Sequence, residues 1–203
     1  MASPKLMRDP TADHLLTPEN SALVIIDYQP VQVSSLVGVD KRTIVANITA
    51  VAKTAKLYGL PVVISTVNVA TGRNAPTIHQ ITEVFPHVMQ IDRTAINSWE
   101  DDDFVAAVKA TGRKKLIMTA LWTEVCLVFP SLDAMKEGYE VYPVVDAVAG
   151  TSVEAHRAGL ERIVQAGAKP ISWVSLLCEL QRDWMRDKTV AAFAEILFAI
   201  EGH

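Results

Sequence analysis

The sequence has very little cysteine. Only Cys126 and Cys178 occur among its 203 residues, far apart and without the spacing of metal ligands. Two such residues cannot build the disulfide scaffold that stabilises small secreted domains. Long apolar runs are missing as well. The run from Ala22 to Ile26 is far too short to span a bilayer, and Met1 to Pro10 contains no stretch typical of a signal peptide. We therefore expect a protein of a reducing compartment, the cytoplasm, without a membrane partner.

Concentrated positive charge is also absent. The formal net charge is -4, and the longest basic run is Arg113 to Lys115, which suits a solvated turn between a helix and a strand. Nucleic acid is therefore not an expected partner. No Gly-x-Gly-x-x-Gly motif follows the first predicted strand, which disfavours a dinucleotide-binding module. A Gly-x-Ser-x-Gly elbow is also missing, which disfavours a serine hydrolase.

The overall composition is that of a globular protein, with 50% apolar and 21% charged residues. This length is sufficient for one large domain with a substantial core. No Gly/Ser-rich linker or shift in composition marks a boundary within the chain. We therefore expect a single domain over residues 1–203.

One local pattern recurs four times: an amphipathic helix, a glycine, and then a β-branched run. Glycine suits the left-handed position just past a helix end. The glycines concerned are Gly59, Gly112, Gly138 and Gly167. Runs such as Leu23 to Ile26 are continuously apolar, as in strands buried on both faces of a parallel sheet. The spacing predicts an α/β fold: a Rossmann-like three-layer αβα sandwich around a mainly parallel sheet of six strands, the last at Lys169 to Trp173.

The C-terminal segment, Thr189 to Ile200, is predicted to form an apolar-rich helix. Its apolar side chains are Phe193, Ile196, Leu197 and Phe198. Such a wide stripe can pack on its own domain or on a second subunit. We favour the second subunit, and therefore expect a homo-oligomer.

Two side chains are predicted to meet at the carboxyl edge of the sheet, where open parallel sheets place their sites. Asp27 directly follows the first apolar run, and Cys126 lies in the first helical turn after the fourth. At that position the helix dipole and free N–H groups lower a thiol pKa. In the usual strand order the first and fourth strands are neighbours, so we expect Asp27 and Cys126 to face each other. A turn aspartate and a small buried cysteine are the alternatives.

Arg93 is a third candidate. It lies after a short predicted strand, Val88 to Ile91, in a loop with charged, amide and aromatic side chains of the kind that often line pockets. The same arginine equally suits a pair with Asp92 or with a surface carboxylate. The pattern leaves its role open.

Five segments carry a further signal. They are Asp27 to Gln29, Asn97 to Asp101, Thr123 to Cys126, Asp146 to Thr151, and Cys178 to Trp184. Together they resemble the isochorismatase-like cysteine hydrolase superfamily, in its YcaC-like branch, over nearly the whole chain. The resemblance implies a Rossmann-like fold, oligomerisation and an Asp, Lys, Cys triad. Asp27 and Cys126 match their positions in that triad, and Arg93 occupies the position of the lysine.

The resemblance also implies a mechanism. Asp27 would take the thiol proton, Cys126 would attack a carbonyl or imidate carbon, and water would release the acid from an acyl-thioester. The backbone N–H groups of Trp122 and Cys126 would form the oxyanion hole, and a cis peptide bond would join Leu121 to Trp122. Because arginine stays protonated, Arg93 would act only electrostatically. The expected reaction is cleavage of an amide-type C–N bond in a small molecule.

No metal and no cofactor are expected. Nicotinamidase-like relatives bind zinc through an aspartate and histidines in the loop after the second strand, but Asn68 to Asn74 contains neither residue type. His79 and His87 are expected at the surface or in turns. His156 is expected to be a structural residue on a helix.

Four side chains are candidates for the substrate pocket: Tyr28, Asn97, Trp99 and Trp122. Aromatic walls with one amide indicate a small, partly planar or amidic substrate, and core packing is the alternative for each.

Two other functions remain open. The arginine in place of lysine favours a catalytically silent relative that binds a small molecule and scaffolds an oligomer. A redox-sensing thiol is the other, although no resolving cysteine lies nearby in the sequence.

Overall fold

Helices and strands alternate along the chain in the computed structural model, which describes residues 9–199. The elements are β1 Ser21–Ile26, α1 Pro30–Ser34, α2 Lys41–Tyr58, β2 Val62–Val67, α3 His79–Val84, β3 Gln90–Arg93, α4 Asp102–Ala110, β4 Lys115–Ala120, α5 Val128–Lys136, β5 Glu140–Pro143, α6 Val153–Gln165, α7 Trp173–Gln181 and α8 Val190–Phe198. A 3₁₀ turn, Ser98–Glu100, precedes α4, and a π-helical turn, Thr123–Leu127, precedes α5. The predicted α/β class is confirmed.

The sheet is parallel throughout, with strand order β3-β2-β1-β4-β5. The central strand β1 pairs with β2 on one side and with β4 on the other. Ile26, its last residue, lies opposite Ser65 and Ala120. The chain order reverses between β1 and β4, so their carboxyl ends are neighbours at the point where such sheets hold ligands.

The sheet has five strands, so the prediction of a sixth was wrong. The run from Lys169 to Trp173 makes a single bridge, between Val144 and Ile171, supported by backbone hydrogen bonds from Lys169 N to Val141 O and from Ile171 N to Pro143 O. Ser172 already serves as the N-cap of α7. The extended run therefore ends before a regular strand can form.

Helices cover both faces of the sheet, and the two faces of β1 define two cores. One face packs against α2, α3, α7 and α8, with Leu23, Ile25, Ile48, Leu177 and Phe193 among its members. The other packs against α4, α5 and α6, with Val24, Ile26, Phe104, Met118 and Ile163. Full burial of one such side chain contributes about 1.5–3 kcal/mol. This confirms the three-layer αβα sandwich and explains why β1 reads as an unbroken apolar run.

The four predicted helix-to-strand glycines all have positive φ, with Gly59 at 67° just past the end of α2. Asp40 is the N-cap of α2, where its side chain accepts a hydrogen bond from Arg42 N. The predicted glycine positions thus coincide with helix ends in the structure.

The C-terminal helix α8 packs mainly on its own domain. Phe193 is buried and meets Trp184 edge-on, with 4.9 Å between ring centroids. Ile196 and Leu197 are partly buried against the same core, whereas Phe198 is 51% exposed. A subunit contact through this helix stays a prediction.

Three sequence expectations concern parts that the structure leaves undescribed or tests only in part. Residues 1–8, within the segment that lacks a signal-peptide pattern, lie outside the described residues, and so does the predicted helix end at Ile200. Within residues 9–199, no helix is both long and apolar enough to cross a membrane.

Candidate active site

Asp27 is the first residue beyond β1, and its side chain is completely buried. Its backbone has φ 60°, a left-handed conformation that is uncommon for a residue other than glycine. The Asp27 N–H donates to Ser65 O at 3.0 Å, so the sheet pairing continues up to this residue. Strained backbone of this kind clusters at functional sites, because the surrounding structure must hold it.

Arg93 is the last residue of β3, and it reaches across the end of β2 to Asp27. Its Nη2 donates to Asp27 Oδ2 at 2.6 Å, and both side chains are fully buried. Nη1 donates to Ala95 O. Asp92, the alternative partner, instead accepts from the backbone N–H groups of Val69 and Ala70. Arg93 therefore pairs with Asp27 rather than with Asp92 or a surface carboxylate.

Cys126 lies in the π-helical turn that connects β4 to α5, and it is 8% exposed. The Asp27 carboxylate and the backbone N–H of Trp122 lie close enough to the thiol to shift its pKa, the first upward and the second downward. The predicted meeting of Asp27 and Cys126 across the β1–β4 switch point is thus present. The turn is π-helical rather than the first turn of an α-helix, a feature that is frequent at functional sites.

The expected lowering of the Cys126 pKa was wrong for this structure. Burial raises the pKa of the thiol strongly, and the negative charge of Asp27 raises it further; Arg93 and the Trp122 N–H oppose this only in part. Burial also raises the pKa of Asp27, against the charge of Arg93 and the interaction with Cys126. The resting pair is therefore a neutral thiol beside a carboxylate with an increased affinity for a proton.

Two buried polar atoms of this cluster lack hydrogen-bond partners among residues 9–199: Asp27 Oδ1 and Arg93 Nε. Such atoms are rare in folded proteins, because each costs about 1–3 kcal/mol of desolvation. One is an acceptor and the other a donor, and both belong to the ion pair beside the thiol. The ion pair therefore retains one acceptor and one donor that no described residue satisfies.

Trp122 lies next to the thiol in the way that the resemblance implied. The peptide bond between Leu121 and Trp122 is cis, as expected. Leu121 N donates to Ile26 O at 3.1 Å, and Thr123 N donates to Ala149 O at 3.0 Å, so the chain is held on both sides. The indole Nε1 donates to Ser35 Oγ at 2.8 Å, and the ring is half-buried. Trp122 can therefore present both an N–H group and a ring to a ligand.

Tyr28 belongs to the core rather than to the wall of a pocket, so that prediction was wrong. The side chain is fully buried among apolar neighbours. Its hydroxyl donates to Ala147 O at 2.7 Å.

Asn97 and Trp99 also serve structural roles here. Asn97 caps the 3₁₀ turn through Trp99 N, and its amide donates to Asp133 at 2.7 Å. The Trp99 indole donates to Glu137 at 2.8 Å and packs edge-on against Tyr139. Both side chains are buried, so the core-packing alternative describes them better than a substrate contact.

The histidines among residues 9–199 belong to no cluster that could hold a metal ion. His79 and His87 are exposed, as expected. His156 is half-buried on α6, where its Nδ1 lies 2.8 Å from Thr123 Oγ1, and burial lowers its pKa. No group of three His, Cys, Asp or Glu side chains that could hold a metal ion occurs between residues 9 and 199.

Two polar contacts of the site were not anticipated from the sequence. Gln29 is buried and holds the loop after β2 through Val67 and Ala75. Glu124 accepts two hydrogen bonds from Thr151. Both residues lie within the segments that carried the family resemblance, which was the only signal for them. Nothing in the local pattern indicated what their side chains contact.

Comparison with known proteins agrees with this geometry. The model of the isochorismatase domain matches residues 21–175. The probable hydrolase YcaC of Escherichia coli (strain K12) is 38% identical over 174 residues, covering 85% of this chain and 83% of that protein.

Two solved structures are similar over most of their length. YcaC from Pseudomonas aeruginosa, with hexane-2,5-diol and covalent acrylamide, gives a TM-score of 0.81 at 32% identity, covering 93% of this chain and 98% of that one. The Escherichia coli YcaC structure, an octameric hydrolase of unknown specificity, gives 0.81 at 31% identity, covering 93% and 97%. The chain therefore belongs to the isochorismatase-like hydrolase family.

Proposed function

We propose that this chain is a cysteine hydrolase that cleaves an amide-type C–N bond of a small molecule through an acyl-thioester on Cys126. The observation that carries the proposal is the buried cluster of Cys126, Asp27 and Arg93 at the carboxyl edge of the sheet, where a thiol faces a carboxylate with a raised pKa. A nucleophile beside its own base is the arrangement that covalent catalysis requires.

In the first step, Asp27 accepts the thiol proton while the sulfur of Cys126 attacks the carbonyl carbon. A thiol with a raised pKa holds no standing thiolate, so proton transfer and attack must be coupled. The raised pKa of Asp27 supports this step, because it makes the carboxylate a stronger base.

The carbonyl oxygen becomes an oxyanion as the S–C bond forms. The N–H of Trp122, which lowers the pKa of the thiol in the resting site, and the N–H of Cys126 are its proposed donors. Removing one such donor typically lowers the rate by about 10²–10³-fold.

The C–N bond then breaks, and protonated Asp27 returns its proton to the leaving amine. Water attacks the thioester carbonyl and Asp27 takes one proton from it; the S–C bond then breaks, Asp27 returns that proton to the sulfur, and the acid leaves. Arg93 stays protonated throughout, so its role is to stabilise negative charge on Asp27 and on the sulfur.

A small substrate fits a buried site of this kind, with Trp122 as its proposed aromatic wall. The Pseudomonas aeruginosa relative carries a covalent acrylamide, a small electrophile, which supports the proposal of a reactive nucleophile. The octamer of the Escherichia coli relative supports the proposal that this chain is a homo-oligomer too. Exposed Phe198 offers a contact for such an assembly.

One observation favours a second candidate, a catalytically silent relative that binds a small molecule and scaffolds an oligomer. The ion pair between Arg93 and Asp27 occupies one carboxylate oxygen at 2.6 Å and opposes the rise that burial causes in the pKa of the base. If that pairing weakens Asp27 too far, the thiol stays protonated and no acyl-thioester forms.

The test is to incubate the protein with a panel of small primary amides, measure ammonia release, and look for an acyl adduct by intact-mass spectrometry. Trapping with hydroxylamine should convert the thioester into a hydroxamate. Cys178→Ala is the matched control, because Cys178 is exposed and distant in sequence from the cluster, and it should keep both signals. Cys126→Ala should lose both. Binding of amides without ammonia or adduct would instead establish the silent relative.

A further inference from the structure

Glu124, two residues before the nucleophile, has a side chain bound away from the catalytic cluster. Its Oε1 accepts from Thr151 N at 2.9 Å and from Thr151 Oγ1 at 2.6 Å. Its Oε2 is buried and has no hydrogen-bond partner within the described part of the chain. The Oε1 oxygen thus accepts hydrogen bonds from both the N–H and the hydroxyl of Thr151, which lies just before α6.

Two glycines lie against Glu124, Gly150 beside its carboxylate and Gly159 beside its backbone. A Cβ on Gly150 would overlap Glu124 Oε2 and would lie 3.0 Å from His156 N. A Cβ on Gly159, in the middle of α6, would lie 3.0 Å from Glu124 Cα. Real side-chain atoms would have to push the turn and α6 apart at either position. The glycines therefore allow α6 to press directly on the turn that carries the nucleophile.

The neighbouring residue of the turn is fixed to the same segment. Thr123 N donates to Ala149 O at 3.0 Å, and Thr123 Oγ1 lies 2.8 Å from His156 Nδ1. The π-helical turn is therefore held from outside at two consecutive residues. Cys126 follows within the same turn, so its backbone direction depends on these anchors.

We propose that Glu124 is a positioning residue of this site: its clamp on Thr151 sets the direction of the backbone N–H groups of Trp122 and Cys126, and so the place where an oxyanion is held. The inference rests on the proposed function, because it assigns an effect on the chemistry of Cys126. Glu124 itself contacts neither the thiol nor the place of the substrate.

Two thiol reagents separate the position of the oxyanion donors from the reactivity of the sulfur. With iodoacetamide, the sulfur forms an S–C bond, iodide leaves, and the thiol proton is released; no oxyanion develops. With acrylamide, the sulfur adds to the terminal alkene carbon and negative charge moves onto the amide oxygen. The thiol proton then ends on the adjacent carbon. Only the second reaction uses donors aimed at an oxygen.

The experiment measures second-order rate constants for both reagents at Cys126, in a Cys178→Ser background. Glu124→Ala should slow the acrylamide reaction by about 10- to 100-fold, as expected when a donor moves by about 1 Å, and change the iodoacetamide rate by less than about threefold. Glu124→Gln keeps an oxygen that accepts from Thr151, so it should retain most of the acrylamide rate. Glu154→Ala, on the exposed first turn of α6, is the control and should leave both rates unchanged.

A second variant reaches the same carboxylate from the other side. Gly150→Ala should displace Glu124 and reproduce the selective loss, and its effect should be smaller in the Glu124→Ala background because the main clash is then removed. If Glu124→Ala fails to fold, Thr151→Val, which removes only the hydroxyl donor, provides the same comparison of reagents.

The outcomes separate the inference from the proposed function. Equal loss with both reagents, or no loss with either, would overturn the role of Glu124 while leaving Cys126 as the nucleophile. Failure of wild-type Cys126 to react at all with either reagent would overturn the proposed function, and the inference with it.

Discussion

The two edges of the sheet both bury charged side chains, but they differ in how these are satisfied. At the amino edge, Lys115 begins β4, and its ammonium group donates to Asp13 O and, at 3.0 Å, to Leu15 O. The amide of Asn20 donates to the same two carbonyls, at 3.2 and 3.0 Å. At this edge, Lys115 and Asn20 hold the N-terminal segment on the sheet through four hydrogen bonds to two backbone carbonyls.

At the carboxyl edge the buried groups are left incomplete. Asp27 Oδ1 and Arg93 Nε lack partners among the described residues, and Cys126 has a raised pKa. An unsatisfied buried group costs stability, whereas a satisfied one is close to neutral or better. The difference indicates that the amino edge is built for stability and the carboxyl edge for chemistry. Each prediction below tests that division.

Replacing Cys126 should have the largest effect, and on activity alone. Cys126→Ala is expected to lower amide hydrolysis by about 10³-fold or more, since removal of a nucleophile eliminates the covalent route. Its melting temperature should stay within a few degrees of wild type. The measurement is ammonia release on an amide found by the screen, beside a thermal melt. Retained turnover would place the chemistry elsewhere.

Replacing Arg93 should affect both stability and activity. Arg93→Ala leaves Asp27 buried without its charge partner and should lower the free energy of unfolding by about 3–5 kcal/mol. Because Arg93 lowers the pKa of Asp27, its loss raises that pKa further. The acid limb of the pH–rate profile should therefore move to higher pH. Arg93→Lys keeps the charge and should move it less.

The stability of Arg93→Ala should also depend on pH in one direction. An acid whose folded pKa lies above its unfolded value, here 3.8 for Asp27, destabilises the fold increasingly as the pH rises between the two values. The deficit relative to wild type should shrink as the pH falls towards the unfolded value. Urea unfolding at several pH values measures it, and a deficit that grows on acidification would contradict the account.

Replacing Lys115 should affect stability alone. Lys115→Met removes two hydrogen bonds from a charged donor, each of which contributes about 1.5–3 kcal/mol before losses to desolvation. A fall of about 1–3 kcal/mol in the free energy of unfolding is expected by urea titration. Amide hydrolysis per folded molecule should not change. Lys136→Met, on the exposed end of α5, is the matched control. Loss of activity in Lys115→Met would break the division between the edges.

The smallest effect is expected for Trp99. Trp99→Phe loses the hydrogen bond to Glu137 but keeps an aromatic ring against Phe104 and Tyr139. The expected cost is about 0.5–1.5 kcal/mol, with KM unchanged. Trp122→Phe is the comparison variant and should raise KM. A raised KM for Trp99→Phe would restore Trp99 to the substrate pocket.

Much of the fold could be predicted from the sequence. Continuous apolar runs and glycine stops located β1, β2, β4 and the helices between them, because a parallel sheet buried on both faces leaves that pattern. The sixth strand was the error. The helix cap at Ser172 ends that run after one bridge, and apolar content alone cannot show where pairing ends.

The site was only partly predictable. The positions of Asp27 and Cys126 followed from the usual strand order of a doubly wound sheet, which this chain adopts. The pairing of Arg93 did not, because it depends on a contact across the end of β2. The raised pKa of Cys126 was missed because burial outweighs the helix dipole, and burial of one thiol cannot be read from its sequence neighbours. Tyr28 was misassigned because aromatic side chains suit a core and a pocket equally well, and for the same reason the roles of Asn97 and Trp99 in substrate binding stay predictions.

The coupling of Asp27 to Cys126 is the central claim, and the pH dependence of Cys126 alkylation by iodoacetamide tests it most directly. The measurement compares wild type with Asp27→Asn in a Cys178→Ser background, so that one thiol reports. Because the charge of Asp27 raises the pKa of Cys126, the midpoint of the profile should move to lower pH in the variant, while amide hydrolysis is lost. A midpoint that stays in place or rises would show that the two groups are not coupled and would contradict the account.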